Sequence, residues 1–312
     1  MLTQNRDLHT GLPVWEVQRR PPHELDTPLI HMRRALGEKT ADSVWRRSRL
    51  VVSALAERTV RLGIAADFTP RDALYLAGDV LDAAGLAAEA RARRSIGLEV
   101  ELLGRRELLS RYGIRRSAGL LGRGGFVADP LRLAASYMRT AERRGARVFA
   151  PVEVQSVLEQ ARGVIATTSQ GIQLRAKYAV FSTGYEVVKG IRATGHSIQW
   201  SRPVRRSRRA ILGSAARDAL SARKFSLLER RLAALFPALD PEPDYAWAGT
   251  FGSSDNGTPI IGRIPGNRRL FTVLGCGGNG VTFSMLAAQL LTSEIAGDGD
   301  RDAALFAPRR RH

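Results

Sequence analysis

Apolar positions recur at helical spacing from Thr27 to about Leu62: Leu29, Ile30, Met32, Leu36, Val44, Trp45, Leu50, Val51, Leu55 and Val60. A period of 3 to 4 predicts a long amphipathic helix, with a break near Gly37. Residues 68–75 read as a short strand, residues 79–94 (DVLDAAGLAAEARARR) as an Ala-rich helix and residues 107–112 as a short helix. Residues 120–127 contain LGRGGFV and read as a Gly-rich loop leading to Asp129-Pro130. Proline in the first turn then opens a helix over 131–144, which Gly145 stops. Period-two alternation predicts strands at 147–158, 163–169 and 172–174, with turns at 160–163 and at Gln170-Gly171. Tyr178 to Phe181 forms a short apolar strand ending in Ser182-Thr183-Gly184. Residues 190–215 lose regularity, 220–236 are helical, 245–250 and 270–275 read as strands, and 281–295 is a strong helix. Helices and strands mix throughout, so the class is α/β or mixed α+β.

The chain has 312 residues, 44% hydrophobic and 25% charged, which is ordinary composition for a folded domain. No run of about 18 apolar residues predicts a membrane span. The first residues, MLTQNRDLHTGLPVWEV, lack a basic segment followed by an apolar stretch, so no secretory signal is expected and a cytoplasmic setting is. Cys276 is the single cysteine, which excludes an intramolecular disulfide and a cysteine-cluster metal site. The five histidines show no metal-binding spacing. The net charge of +18 first suggests an anionic partner. Yet 44 of the 48 basic residues are arginine, spread through predicted helices, a pattern that a GC-rich coding bias also produces. The clusters are residues 202–209 (RPVRRSRR) and Arg309, Arg310 and Arg311, read as a nucleic-acid site or as solvated positive surface. No specific nucleic acid is expected.

Gly275-Cys276-Gly277-Gly278-Asn279-Gly280 satisfies G-x-G-x-x-G between a strand and a helix. Only 32 residues follow Gly280, with no second strand after the helix, so the usual N-terminal dinucleotide unit does not fit here. Asp298 and Asp300 therefore read as tail rather than as ribose-binding acids. Two readings of the loop remain. Glycines allow close backbone approach to a ligand, and a helix start offers unpaired N–H groups and partial positive charge. The loop is otherwise a tight strand-to-helix turn.

Three further segments carry a resemblance: YAVFSTGY at 178–185, WAGTFGSSDNGTPIIG at 247–262, and LFTVLGCGGNGVTFSMLAAQ at 270–289. In order and spacing they resemble the D-amino-acid oxidase and glycine oxidase superfamily of FAD-dependent oxidoreductases. The helix–Gly–strand segment YMRTAERRGARVFAPVEV is similar to that family too. The resemblance implies an FAD-binding Rossmann-like sheet interleaved with an antiparallel substrate-domain sheet. It implies non-covalent FAD and oxidation of a C–N bond of a small-molecule amine or amino acid by hydride transfer to flavin. It assigns cofactor contacts to Val154, Thr183, Gly184, Gly275, Gly277, Gly278, Asn279, Gly280, Val281 and Thr282. It divides the chain into an FAD-binding domain (26–60, 125–190 and 268–306), a partly deleted substrate or cap domain (61–124 and 191–267) and irregular ends (1–25 and 307–312).

The sequence departs from that family in three places. HELDTPLIHM (23–32) already resembles family sequence lying after the N-terminal glycine motif, and residues 1–22 hold one glycine, Gly11. Residues 197–216 are Arg-rich where the family has further strands. Phe251 stands where amino-acid oxidases of this group often carry a carboxylate-clamping arginine, and Arg263 is another cation nearby. The expectation is therefore a truncated flavin oxidoreductase. The rivals are a non-catalytic remnant, one half of a split flavoprotein with a partner chain, and a basic nucleic-acid binder.

Other residues keep plain alternatives. His196 reads as catalytic or as an ordinary loop residue, and His31 as partly packed on a helix. Asp255-Asn256-Gly257 reads as a turn. Cys276 is a small buried loop residue, or a thiolate stabilised at a helix start and a point of covalent flavin attachment. Ser182 and Thr183 also read as the plain end of a strand, and Trp45, Trp200 and Trp247 as core or interface. The nucleic-acid reading predicts retention on immobilised DNA or RNA at low salt that falls steeply as salt rises. Absence of retention at low salt dismisses it.

Overall fold

The computed structural model describes residues 25–184, 199–200, 215–236, 252–254 and 256–308. In chain order the elements are α1 (Leu29–Leu36), α2 (Glu38–Arg61), β1 (Thr69–Leu76), α3 (Ala83–Ser95), β2 (Val100–Gly104), α4 (Arg105–Tyr112), β3 (Ala118–Val127) and α5 (Pro130–Arg143). There follow β4 (Val154–Gln160), β5 (Gly163–Thr168), β6 (Gln173–Ala176), β7 (Ala179–Gly184), β8 (Gln199–Trp200) and α6 (Ala215–Leu235). The chain closes with β9 (Gly252–Ser253), β10 (Ile260–Arg263), β11 (Leu270–Leu274), α7 (Gly280–Ala296) and α8 (Ala303–Phe306). The fold is mixed α/β, with small sheets in the orders β1-β3-β2, β10-β11-β7, β4-β5-β6 and β8-β9. Among the described residues no helix is long and apolar enough to cross a membrane.

The described residues form two compact units. One takes those up to Arg71, from Gly124 to Trp200 and from 252 onward; the other runs from Asp72 to Arg123 and includes 215–236. The chain passes between them inside β1 and inside β3.

In the first unit the predicted break at Gly37 separates α1 from α2, with Gly37 at φ 82°. α2 buries one stripe, Ala41, Val44, Trp45, Ser48, Val51, Val52, Leu55 and Thr59, at the spacing of a single helix face. That stripe meets α7, whose buried residues are Thr282, Phe283, Met285, Leu286, Ala287, Leu290 and Leu291. Trp45 is fully buried, in agreement with its reading as core. Arg47 of α2 donates to Gln289 Oε1 at 3.2 Å and to Asp300 Oδ2 at 2.9 Å, and pairs with Asp302 at 3.4 Å. Asp300, read from sequence as tail, therefore ties the C-terminal segment to α2. α7 also packs on the sheet β10-β11-β7, of which β11 is buried at every position. The meander β4-β5-β6 joins this sheet through Val164, Phe181, Ile264 and Leu270, with Val157 and Ala179 against them.

In the second unit Leu103, Leu108, Ile114 and Leu121 form the core, covered by Leu74, Leu76, Leu235 and Phe236. The Asp82 side chain caps α3 by accepting from Gly85 N–H at 2.7 Å, which starts the helix later than the composition predicts. α3 buries an ion pair, Glu89 with Arg93 at 2.8 Å, on side chains 0% and 1% exposed. On the surface Arg111 and Arg123 both pair with Glu101, and the Arg111 hydrogen bond holds the Glu101 carboxyl below its usual range.

Two sequence expectations are corrected. The Gly-rich stretch 120–127 is strand β3, not a loop: Leu120, Leu121 and Phe126 are buried, and neighbours on both sides supply the backbone hydrogen bonds that its glycines alone do not favour. Residues 147–153 join no ladder, so the predicted strand at 147–158 begins at Val154. The strands β2 and β10 carried too few alternating positions to be read in advance. The residues predicted as a strand at 245–250 lie outside the described residues.

Removing one partner of a buried ion pair leaves the other's charge desolvated and costs about 3–5 kcal/mol. Glu89→Ala is expected to lower stability by about that amount, read as a shift in the urea midpoint at unchanged slope.

Candidate active site

β7 and β11 are neighbours in a parallel pair, with Leu270 opposite Ala179, Thr272 opposite Phe181, and Leu274 opposite Gly184. Both strands therefore end at the same edge of the sheet. The pairing shifts between Thr272 and Leu274, so the two C-terminal ends meet out of regular step. From that edge the chain runs through Gly275 and Cys276 into a single 3-10 turn, Gly277–Asn279, and then into α7. Gly275 (φ 66°) and Gly277 (φ 55°) both lie in the left-handed region, which a side chain at either position would oppose. The register thus starts the loop at Gly275 beside Gly184, and Gly277, Gly278, Asn279, Gly280, Val281 and Thr282 follow it along the chain into α7, while Thr183 precedes Gly184 in β7. Val154 starts β4, opposite Thr168, in the separate meander; the described contacts do not join it to the glycine loop.

Several features of the loop suit a polar, planar ligand. The first N–H groups of α7 have no partner within the helix. Its first turn holds no acidic residue, and the Asn279 side chain makes no cap hydrogen bond. Among the described residues, Asn279 Oδ1 and Thr282 Oγ1 find no hydrogen-bond partner, and their residues are only 5% and 1% exposed. Buried polar atoms are usually satisfied, so two orphans in one short run mark a place where a partner is wanted. Among the described residues, a Cβ built on Gly280 meets nothing within 4 Å, so there is room beside the first residue of α7.

Cys276 differs from one sequence expectation. Burial pushes its thiol up to about 11 from 9.0. Desolvation of the thiolate outweighs the helix start, so the residue is a neutral thiol rather than a stabilised nucleophile. Arg263 pairs with Glu294 of α7 at 3.0 Å and lies 5.5 Å over the Phe271 ring, so its charge is already engaged. Asn256-Gly257 forms the predicted turn: Asn256 Oδ1 accepts from Thr258 N–H at 3.1 Å, Thr258 Oγ1 at 2.8 Å and Ser254 Oγ at 2.9 Å. His196, Trp247, Phe251 and Asp255 lie outside the described residues. Among the described residues no group of three metal-ligating side chains occurs.

Sequence reasoning missed Asp26, whose Oδ2 accepts from Gly278 N–H at 3.1 Å. An acidic residue just before a proline-opened helix reads as local capping. Its partner, 252 residues away, leaves no local trace.

The chain belongs to the DAO family, described as FAD dependent oxidoreductase, which it matches over residues 18–213 and 202–294. The fold is similar to that of glycine oxidase from Geobacillus kaustophilus, at 19% identity and TM-score 0.71, covering 95% of this chain and 88% of that one. It is similar to L-proline dehydrogenase from P. horikoshii, at 16% identity and TM-score 0.69, covering 85% and 82%. Iminodiacetate oxidase from Chelativorans sp. BNC1 follows, at 18% identity and TM-score 0.64, covering 85% and 83%. No curated protein matches by sequence.

With its thiol raised, Cys276 is expected to resist alkylation in the native chain. The iodoacetamide rate should reach half its limit near pH 11, against 9.0 after unfolding. The stability that this burial contributes is present below pH 9.0 and lost as pH rises through 11, a loss that Cys276→Ala should lack.

Proposed function

We propose that this protein binds FAD non-covalently at the Gly275–Thr282 loop and oxidises a C–N bond of a small amine or amino acid. The observation that carries the reading is the parallel β7–β11 pair, which sets Gly184 beside the start of a glycine turn whose Asn279 and Thr282 oxygens are buried without partners among the described residues. Those atoms, with the N–H groups opening α7, fit the polar edge of a flavin ring. Thr282 Oγ1 and the amides at 280–282 would donate to it, and Asn279 Oδ1 would accept from a ring N–H. Donors fixed by the fold favour negative charge gained on reduction, because they need no reorganisation. The cofactor, when bound, supplies the hydride acceptor, so no protein base is required for a neutral amine. The neutral Cys276 thiol favours a non-covalent arrangement. The names of the similar structures, a glycine oxidase, a proline dehydrogenase and an iminodiacetate oxidase, support an amino-acid-like substrate.

In this reading the first unit carries the cofactor and the second belongs to the substrate side. Val154 remains a proposed adenine-side contact. A second reading, a family member without turnover, rests on Phe251 at the place of the carboxylate clamp.

Titration with FAD tests the proposal. The expected result is saturable quenching of flavin fluorescence, with a visible band retained after gel filtration. Gly280→Leu, which fills the room beside the first residue of α7, is expected to weaken binding by tenfold or more, on the order of the loss of one good contact. Anaerobic bleaching of the bound flavin by a panel of amines and amino acids then reads turnover. No uptake of FAD overturns the cofactor reading; uptake without bleaching by any amine favours the second.

A further inference from the structure

We infer that Asp26 is a positioning residue for the cofactor loop, bracing the 3-10 turn that leads into α7. The inference rests on the FAD reading above. α7 opens with Gly280-Val281-Thr282, has no acidic residue in its first turn and no side-chain cap from Asn279. Its preceding 3-10 turn is held instead from the far end of the chain, where Gly278 N–H donates to Asp26 Oδ2 at 3.1 Å. A carboxylate accepting from a backbone amide makes a charge-assisted bond, stronger than one between neutral groups.

The segment that presents Asp26 is itself anchored. Leu25 and Leu29 are 3% and 0% exposed, and Met32 is fully buried. The Pro28 carbonyl accepts from His31 and Met32 N–H, which starts α1 directly behind it. On its other side the same segment closely approaches the Asn256-Gly257 turn. Gly257 has φ 73°, and a Cβ there would stand 2.4 Å from Thr27 Oγ1. Two adjacent residues, Asp26 and Thr27, thus lie against two turns that are distant in sequence, Asp26 by a hydrogen bond and Thr27 by close approach. One is the glycine turn bearing the orphaned Asn279 and Thr282 oxygens; the other is ordered by Asn256.

A glycine-rich turn left to itself samples many backbone states, and each must be given up before a ligand is bound. Fixing Gly278 in advance removes part of that cost. Asp26 leaves the amides of Gly280, Val281 and Thr282 untouched, so its hold on the turn does not compete with a ligand at the helix start. The role is indirect: no substrate contact is assigned to Asp26.

Hydrogen exchange of residues 277–282 in FAD-free chain, read by mass spectrometry, and FAD affinity, read by fluorescence quenching, test this in Asp26→Ala and Asp26→Asn. In Asp26→Ala the exchange should quicken about tenfold and FAD affinity weaken about tenfold, the scale of one charge-assisted bond. Asp26→Asn, which keeps an accepting oxygen, should restore most of both. Gly257→Ala, which pushes Thr27 from the opposite turn, should quicken the same exchange while Asp26 is intact. Unchanged exchange in Asp26→Ala overturns the inference, as does faster exchange with unchanged FAD affinity. If wild type takes up no FAD, the cofactor reading fails, and faster exchange in Asp26→Ala still upholds the hold of Asp26 on the turn.

Discussion

The site depends on two parallel strands ending together beneath a buried helix. β7 and β11 are separated by nearly ninety residues of chain, roughly the length of a small domain, yet Leu274 lies opposite Gly184. Parallel pairing puts both carboxyl ends on one edge of the sheet, which is where open α/β sheets leave a crevice. α7 then starts at that edge and is pinned from behind by burial against α2 and the sheet. Because α7 is apolar almost all round, it cannot rotate or slide without exposing Phe283, Leu286 or Leu290. The hydrophobic core thereby fixes the direction of its unpaired N–H groups.

Around that constraint the polar interactions are few and specific. Arg47 joins α2 to Gln289 and to the acidic C-terminal segment, and Asp26 joins the start of α1 to the glycine turn. Each spans well over two hundred residues of sequence. Exposed pairs such as Arg132 with Asp67 add little by comparison, since solvent screens them. The oxygens of Asn279 and Thr282, unsatisfied among the described residues, stand out against this background.

The charge of the chain reads differently once its partners are known. Arg33 pairs with Asp42, Arg47 with Asp300, Arg93 with Glu89, Arg111 and Arg123 with Glu101, and Arg263 with Glu294. These six arginines are tied to acidic residues of the same chain, those of Arg33, Arg47 and Arg93 away from open solvent. Arginine suits that role because its fork keeps its charge at any working pH and meets a carboxylate in more than one geometry.

Much of the scaffold was legible from residue patterns alone. The α2 face, the Pro130 helix start, the hairpin turn at Gly171 and the apolar α7 all follow from local periodicity and turn chemistry, and the glycine loop between strand and helix follows with them. Family likeness added the expectation that Thr183-Gly184 belongs beside that loop. Local rules failed where pairing decided the outcome. The glycines of 118–127 form a strand because neighbours on both sides accept and donate hydrogen bonds, and residues 147–153 stay out of a ladder despite their alternation. Cys276 became a neutral thiol because burial outweighs the helix start, a balance that depends on atoms from other elements. Asp26 was invisible for the same reason. Sequence determines which stretches can be helix, strand or turn, because those preferences act over a few residues. Only the tertiary structure decides which distant residues meet, because register, burial and long-range hydrogen bonds are settled when the elements pack.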